Sequence, residues 1–582
     1  MMWRLGKQLW TLTEKFWIYT CTFGFQAALS RARAWWRLKQ PGVSSQFLRP
    51  KEISVLLQKL SCRPSFSLLL SSEKAEENFL KKTVESVVKQ VYPSWELLLI
   101  TRDTIPAWLK NYQKYTSIRL VKADQASLAE GLNQAVALAL GDYVALVEEG
   151  DLLHPEALLW SALVIDKYPE VDVIYTNEKR VSSTHSPKIF LKPPWSPDRL
   201  LGQMYIGRLC FIRRNLLLKS GGFRDKKGAE EWDLLLRVTE RTSHVFHLPL
   251  VLYLRRKPES QPILVVRKNT IKEALKRRRK SALVEETKDG TFLISYSPKQ
   301  VPRVSIVIPT KDNLKFLRPC LFSLKEKTKG VDYEIILVDN GSQLPETQTF
   351  LEKACHLFPK RFKILRLEIP FNFSRLVNAG VSAATGELIL LLNDDTEVLG
   401  PETWLHEMAG YALQKHIGCV GAILLYPDRT IQHAGIVYVP GVTYRPFMHF
   451  GVGLPENHPG PNGEFQIVCN YPAVTGACLM VRRWLWKKVG GFDEKLAIFD
   501  NDVDFCLRLW RQGYHHVVLP HIRLLHHESK TRGLPRRPEE RTFLRQEAEL
   551  MRTRWQPWLT EYLDFPRSVF TMLKSNTISP ES

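Results

Sequence analysis

The segment LILLLNDDTEV, Leu388 to Val398, is an apolar run that stops on Asn393-Asp394-Asp395. A buried strand gains no stability by ending on two adjacent carboxylates, which repel unless a proton or cation sits between them. A hard divalent cation with oxygen ligands, keeping open positions for a diphosphate, accounts for the pair. The other reading, Asp395 as cap of a helix starting near Pro401, needs one short polar residue and not two. The run YEIILVDNGS ends in Asp339, whose carboxylate can accept hydrogen bonds from a ribose or from the imide of uracil or thymine. FDNDVDFCLR sets Asp500, Asp502 and Asp504 just ahead of an apolar helical stretch. One of the three can cap that helix, and a carboxylate facing a binding edge can take a proton from an attacking hydroxyl. LLHHES adds His526 and His527, imidazoles suited to Mn2+ or Mg2+ at a strand end, or else a packed surface pair.

Such groups meet only if strands deliver them to one edge. In open parallel sheets, ligands bind at the carboxyl ends of the strands. VSIVIPT (304–310), NLKFLRPCLFSLKEKT and YEIILVD (333–339) read as strand, helix and strand, and FSLLLSS (66–72), ENFLKKTVESVVKQV and WELLLI (95–100) repeat that order. Continuous apolar strands of this kind belong to a mostly parallel sheet covered on both faces. The two stretches are copies of one unit. SLAEGLNQAVALALGDYVALVEEGD (127–151) lines up with FSRLVNAGVSAATGELILLLNDDTE (373–397), with Gly141 opposite Gly386. SGGFRDKKGAEEWDLLLRV (220–238) matches VGGFDEKLAIFDNDVDFCLRL (489–509). The expected organisation is α/β: a domain at 64–257, a basic linker with a solvated helix at 258–301, a second domain at 302–533 and a helical tail at 534–582. Residues 1–50 interleave Trp3, Trp10, Trp17, Trp35 and Trp36 with arginine and lysine. They read as basic amphipathic helices, lying on an anionic membrane interface or packed on the first domain.

A chain of 582 residues exceeds what one core supports. With 44% hydrophobic and 24% charged residues it is neither disordered nor fibrous. The net charge of +22 implies an anionic partner or a generally basic surface. None of the nucleic-acid recognition motifs accompanies it, so no nucleic-acid partner is expected. Nine scattered cysteines without a C-x-x-C pair speak against a zinc ribbon or disulfide framework and for buried thiols in a reducing, cytosolic compartment. No apolar stretch reaches the roughly 18–20 residues that span a bilayer. A signal peptide is not expected either, since Glu14 precedes the apolar stretch 16–30 and no small-residue cleavage site follows.

The second copy resembles glycosyltransferase family 2, with its GT-A nucleotide-sugar fold. The resemblance rests on VSIVIPT, EIILVDNGS, PFNFSRLVNAG, GELILLLNDDTEV, TGACLMVRR, GGFDEKLAIFDNDVDFCLRL and LLHHESKTRG, in that order. It is nearest to tandem-domain bacterial enzymes of surface-polysaccharide assembly, often described as rhamnosyltransferases, and RWQPWLTEYLDFP is similar to their C-terminal extension. The resemblance implies a nucleoside-diphosphate sugar donor, a glycan or lipid-linked glycan acceptor, and Mn2+ or Mg2+. It implies Asp339 on the base or ribose with Thr310 beside it, and Arg375, Asn378 and Asp394 on the donor side. Asp395 and His526 are implied as metal ligands and Asp502 as catalytic base, giving inverting transfer on the cytoplasmic face of a membrane.

The first copy looks chemically depleted. Thr101 stands opposite Asp339, Glu148-Glu149-Gly150 opposite Asn393-Asp394-Asp395, Glu231 opposite Asp502, and Leu254 opposite His526. Asp151 could take the metal role by a one-residue shift. Retained fold with lost catalysis is the expectation. The alternatives are a two-site polymerase, in which copy one still transfers sugar after Asp502→Asn, and a non-catalytic glycan or nucleotide-sugar binder, which holds the donor without turnover.

Overall fold

The structure is a computed structural model that describes residues 19–23, 26–32, 48–72, 77–101, 107–112, 117–122, 127–181, 187–256, 264–527 and 537–575. The chain divides into two compact units, one of Met1–Lys39 with Ser281–Leu559 and one of Gln40–Lys280 with Thr560–Ser582. They are called here the C-terminal and N-terminal units.

In the C-terminal unit the main sheet runs, edge to edge, through Phe362–Arg366, Tyr333–Asp339, Val304–Thr310, Leu388–Leu392, Cys478–Arg482, Ile417–Leu425, His515–His526 and Thr396–Gly400. The first four strands are parallel and joined by helices Leu314–Lys327, Pro345–Leu357 and Phe373–Ser382. Leu388–Leu392, Cys478–Arg482 and Ile417–Leu425 are buried at every residue, as central strands covered on both faces must be. Beyond Leu388–Leu392 the sheet turns mixed: Cys478–Arg482 runs antiparallel to both its neighbours. The short strand Thr396–Gly400 leaves the end of Leu388–Leu392, crosses to the far edge and pairs there with His515–His526, Thr396 opposite His526. That crossing joins two sequence motifs 130 residues apart.

The N-terminal unit repeats this order with Ile118–Lys122, Trp95–Thr101, Phe66–Ser72, Tyr143–Glu148, Cys210–Arg213, Val173–Arg180, Val245–Arg255 and Leu152–Leu153. The duplication extends to buried polar bonds. Ser305 Oγ donates to Glu334 (2.6 Å) and accepts from Gly386 N (2.8 Å); Ser67 Oγ donates to Glu96 (2.6 Å) and accepts from Gly141 N (2.8 Å). Each glutamate takes one more backbone N–H, from Thr385 or Leu140. This carboxylate ties the start of the fourth strand to the first two, and it explains why both copies hold glycine there. A Cβ on Gly386 would stand 2.6 Å from Arg303 O and 2.8 Å from Ser305 N, main-chain atoms that cannot yield.

Three expectations need adjustment. The helix Leu264–Arg277, in the expected linker, is not solvated all round. It buries Arg267, Thr270, Ile271, Ala274 and Leu275, and its Glu273 and Arg277 pair with Lys226 and Glu240 of the N-terminal unit. Burial of the thiols is incomplete: Cys320, Cys419, Cys469, Cys478 and Cys506 are buried, but Cys21, Cys62 and Cys355 are exposed. The basic amphipathic segment lies largely outside the described residues. Of its described part, Tyr19, Phe23 and Arg31 pack on Tyr444 and Arg445 of the second copy, not the first. Among the described residues no helix is long and apolar enough to cross a membrane.

Gly386→Ala is expected to lower the stability of the C-terminal unit by about 1–3 kcal/mol through overpacking, read as a fall in the midpoint of its urea transition. Gly141→Ala is expected to do the same to the N-terminal unit.

Candidate active site

The end of Leu388–Leu392 is shaped by three backbone bonds. Asn393 N donates to Ala477 O (3.1 Å), extending the ladder by one rung, while Thr396 N and Oγ1 both close on Asn393 O (3.3 and 2.8 Å). The chain therefore turns sharply through Asp394 and Asp395, and the two carboxylates separate. Asp394 turns inward. Thr310 Oγ1 donates to one of its oxygens (2.6 Å) and Asn313 Nδ2 to the other (3.0 Å). Burial, with the neighbouring charge of Asp395, pushes Asp394 up to about 7 against the pull of those two donors. Asp395 turns toward the far edge, where the pairing of Thr396 with His526 sets His526 Nε2 at 3.1 Å from Asp395 Oδ1. Burial would raise Asp395, but the bond and charge of His526 outweigh it and hold the carboxyl below its usual range.

Gln432 determines which imidazole nitrogen meets Asp395. His526 Nδ1 lies 2.6 Å from Gln432 Oε1. An amide oxygen only accepts, so Nδ1 carries the proton and Nε2 presents the lone pair or a second proton. A backing group that fixes the tautomer in this way is the usual support of a metal-binding histidine. Asp395 Oδ1 and His526 Nε2 thus fit a cation between them. His527 is used elsewhere, its Nε2 2.7 Å from Glu397 Oε1 and its ring against Phe316. Among the described residues one cluster of three metal-capable side chains occurs, Cys419, Cys506 and His516. Both nitrogens of His516 are spent there on backbone, accepting from Cys419 N (3.1 Å) and meeting Cys506 O (2.8 Å).

The three aspartates at the start of helix Asn501–Trp510, its cap Asp500 and Asp502 and Asp504 of its first turn, have separate tasks. Asp504 is fully buried and receives Arg508 (2.8 Å), Arg554 (2.6 Å) and Trp555 Nε1 (2.9 Å). Asp500, the helix cap, is gripped by Arg445 through two bonds of 3.0 and 3.2 Å. Among the described residues no arginine or lysine pairs with Asp502. Gly476 N donates to its Oδ2 (2.7 Å) and Val503 N to its Oδ1 (2.8 Å). Burial and the charge of Asp500 raise it above the ordinary aspartate range. Gly476 holds Asp502 while the next residue, Ala477, holds Asn393, so one dipeptide connects the candidate base to the strand end beside Asp395.

The remaining expected residues divide. Asp339 Oδ1 accepts from Ser342 N (3.0 Å) and Oγ (2.6 Å), and its Oδ2 lies 3.8 Å from Arg366. Arg375 is exposed at the start of helix Phe373–Ser382, where Asn372 caps its backbone N–H. The polar atoms of two residues expected on the donor side are engaged within the protein. Asp394 braces Thr310 and Asn313. Asn378 clasps Phe492, its Nδ2 on the carbonyl (2.9 Å) and its Oδ1 on the N–H (3.0 Å). Asn133 makes the same clasp with Phe223 in the N-terminal unit, so this bond belongs to the scaffold. Sequence reasoning missed Gln432, Asn313, Gly476 and Arg445, which sit in loops or on a short strand without a readable pattern.

The sequence profile of glycosyl transferase family 2 matches residues 74–219 and 305–485, more than half the chain. The chain belongs to glycosyl transferase family 2. It is 34% identical over 556 residues to an uncharacterized protein of Sinorhizobium fredii, covering 92% of this chain and 60% of that protein. It is 34% identical over 520 residues to an O-antigen biosynthesis protein, RfbC, of Myxococcus xanthus, covering 86% of this chain and 40% of that one. The chain therefore spans less than two thirds of either relative's length. A 60-residue stretch, 10% of this chain and 20% of the relative, is 40% identical to an N-acetylglucosaminyl-diphospho-decaprenol L-rhamnosyltransferase of Mycobacterium tuberculosis. Among solved structures, a mannosyltransferase of Pyrobaculum calidifontis with GDP-mannose and Mn2+ matches at 14% identity and TM-score 0.31, over 53% of this chain and 81% of that one.

Both units match the family, yet the N-terminal unit has rebuilt the site. Arg208 stands where the C-terminal unit has Ala477, and its guanidinium bridges Glu148 (3.2 Å), at the Asn393 position, and Glu231, at the Asp502 position. Strand register also corrects one alignment. Leu254 faces Lys179 and Leu525 faces Leu425, so Arg255, and not Leu254, occupies the place of His526. A guanidinium has no lone pair to offer a cation; Arg255 is buried 3.6 Å from Glu178. Asp151 accepts from Arg256 N (2.8 Å), and burial pushes it up to about 6. Lys192, itself buried against Glu178 (3.1 Å), donates to Ile206 O and Arg208 O and holds the inserted arginine in place.

Asp504→Ala, which strands Arg508 and Arg554, is expected to cost the C-terminal unit about 3–5 kcal/mol in urea titration. Asp502→Asn is expected to stay within about 1 kcal/mol of the parent.

Proposed function

We propose that the C-terminal unit transfers a sugar, with inversion, from a nucleoside-diphosphate donor to a hydroxyl of a glycan or lipid-linked glycan during assembly of a surface polysaccharide. The N-terminal unit keeps the fold without the chemistry. The observation that carries this reading is the bond pair through Gly476 and Ala477, which links Asp502, paired with no arginine or lysine among the described residues, to the strand end that presents Asp395 to His526.

Asp502 accepts the proton of the acceptor hydroxyl. Burial and the charge of Asp500 raise its pKa, which makes its anion a stronger base than that of an ordinary aspartate. The freed oxygen attacks the anomeric carbon on the face opposite the diphosphate, the carbon–oxygen bond to the diphosphate breaks, and the configuration inverts. In-line displacement needs one carboxylate, unlike the paired acids of glycosidases. Asp339 supports the nucleoside, with Arg375 at the open side of the same edge. Asp395 and His526 would hold Mn2+ or Mg2+, which supplies Lewis-acid stabilisation of the departing diphosphate when bound. Asp394 and Gln432 keep the two ligands in place. The Myxococcus relative's name supports the polysaccharide assignment, and the Mycobacterium relative's name supports rhamnose as donor sugar on a lipid-diphosphate acceptor. The net charge of +22 and the tryptophans of residues 1–50 support peripheral contact with the inner face of an anionic membrane.

A panel of nucleotide sugars with Mn2+ or Mg2+ and a glycan acceptor is expected to yield nucleoside diphosphate for one donor, and chelation to abolish it. Release persisting in the chelated Asp395→Ala protein refutes the proposal. Asp502→Asn is expected to cut kcat about 10²–10⁴-fold. Because Asp502 works ionised and its pKa is raised, turnover is expected to fall as pH drops through an acid limb lying above the usual aspartate range. Gln432→Leu is expected to weaken Mn2+ binding about 10–100-fold in calorimetry.

A further inference from the structure

Asp500 has a left-handed backbone, φ 56°, where an aspartate is seldom found, and it caps the helix on which Asp502 is the second residue. Its carbonyl accepts the first helical bond, from Asp504 N (2.8 Å), so its torsions set the axis and phase of that helix. Three groups from outside the segment over-determine this turn. Glu547, on helix Pro538–Leu563, accepts from Ile498 N and Phe499 N (3.0 Å each). Ser374 donates to Leu496 O. Arg445 makes the two-pronged contact with the Asp500 carboxylate, its guanidinium 4.9 Å from the Phe499 ring centre.

Arg445 is itself left-handed, φ 48°, and is held from behind. Arg31 Nη1 donates to Arg445 O and Tyr19 Oη to Tyr444 O, each at 2.5 Å. The Phe23 and Tyr444 rings stack at 4.9 Å, and the Arg31 guanidinium lies 5.0 Å over Tyr19. The N-terminal unit serves as an internal control. At the position of Asp500 it has Ala229, with φ −104°, and so neither the left-handed cap nor a carboxylate for an arginine to grip. The device accompanies the copy that keeps the candidate chemistry.

We propose that Arg445 is a positioning residue for the base: by seating Asp500 it sets the direction of the Asp502 carboxylate, and Tyr19 and Arg31 of the N-terminal helices hold Arg445 for that task. The proposal rests on Asp502 being the base. Arg445 also screens Asp500 from Asp502. The other titratable groups facing Asp502 are His449, on strand Phe447–His449, and Cys419 behind it; Asp504 is locked by Arg508 and Arg554, and Glu547 faces Asp500.

The test compares pH profiles of kcat and kcat/KM for the full chain and its Arg445→Ala, Arg445→Lys, Arg445→Ala/Asp500→Ala and Tyr19→Phe/Arg31→Ala variants. Arg445→Ala is expected to lower kcat about 10²-fold, the scale of a misplaced reacting group, with donor KM within about twofold because Arg445 touches no donor-side residue. Its acid limb is expected to move to higher pH, since an unscreened Asp500 disfavours the Asp502 anion. Removing Asp500 as well is expected to return the limb, Arg445→Lys to recover part of kcat, and the Tyr19/Arg31 pair to give a weaker loss of the same form. An unchanged kcat in Arg445→Ala overturns the proposal. So does a limb that moves equally with and without Asp500, which would trace to His449. Should Arg445→Ala fail to fold, an unmoved limb in both Arg445→Lys and Tyr19→Phe/Arg31→Ala overturns it too. Asp502→Asn is read separately: full turnover there refutes the base assignment itself, whatever Arg445 does.

Discussion

Asp395 Oδ1 and His526 Nε2 face each other at 3.1 Å, a separation that either a proton or a cation can bridge. The rest of the C-terminal unit follows from making that encounter possible. A strand buried at every residue brings the aspartate to the sheet's carboxyl end, a turn closed on Asn393 O splits it from Asp394, and a strand crossing to the far edge meets the histidine. Gln432 fixes the tautomer from behind, so the lone pair, not the N–H, points inward once the imidazole is neutral. The next rung of the same ladder, Ala477 on Asn393, carries the neighbouring Gly476 to Asp502. Metal-capable pair and candidate base are thus coupled by one main-chain bond and one bond from a backbone N–H to the Asp502 carboxylate.

The duplicated unit shows how separable scaffold and chemistry are. Both copies retain the serine–glutamate–glycine tie at the fourth strand and the asparagine clasp. The candidate-site positions differ in one physical sense. Buried carboxylates need positive charge nearby. The N-terminal unit places Arg208 between Glu148 and Glu231 and Arg255 beside Glu178, where the C-terminal unit has Ala477 and His526. A resident guanidinium satisfies these carboxylates within the protein.

The three aspartates of FDNDVD illustrate how partners sort like residues. Asp504 is neutralised by two arginines and an indole, Asp500 by one arginine in a two-pronged grip, and Asp502 by backbone N–H groups alone. Only the last pairs with no arginine or lysine among the described residues. Arg554, Trp555, Glu547 and Arg445 come from outside the repeated sheet, from the C-terminal helix and an inserted loop. The additions to the common fold therefore converge on the segment that carries Asp502.

Much of this was legible without coordinates. Continuous apolar runs ending in aspartate identify central parallel strands, because such strands are buried on both faces and open only at their tips, and Asp339, Asp395, Asp502 and His526 fell on those tips or beside them. The internal repeat likewise follows from the sequence, since glycine at 141 and 386 is demanded by a close main-chain approach in both copies. Which atoms meet was decided by tertiary structure. That Asp394 turns inward, that His526 and not His527 meets Asp395, and that Arg255 replaces the histidine in the first copy depend on strand register, where a one-residue shift reverses every side chain's face. The clasp of Asn378 on Phe492 was likewise invisible in the sequence, because an amide's partners are set by what lies within hydrogen-bond reach, and Phe492 is 114 residues away. The same holds for Gln432 and Arg445: their roles come from partners brought close only by the folded sheet, and no local pattern encodes a partner that distant.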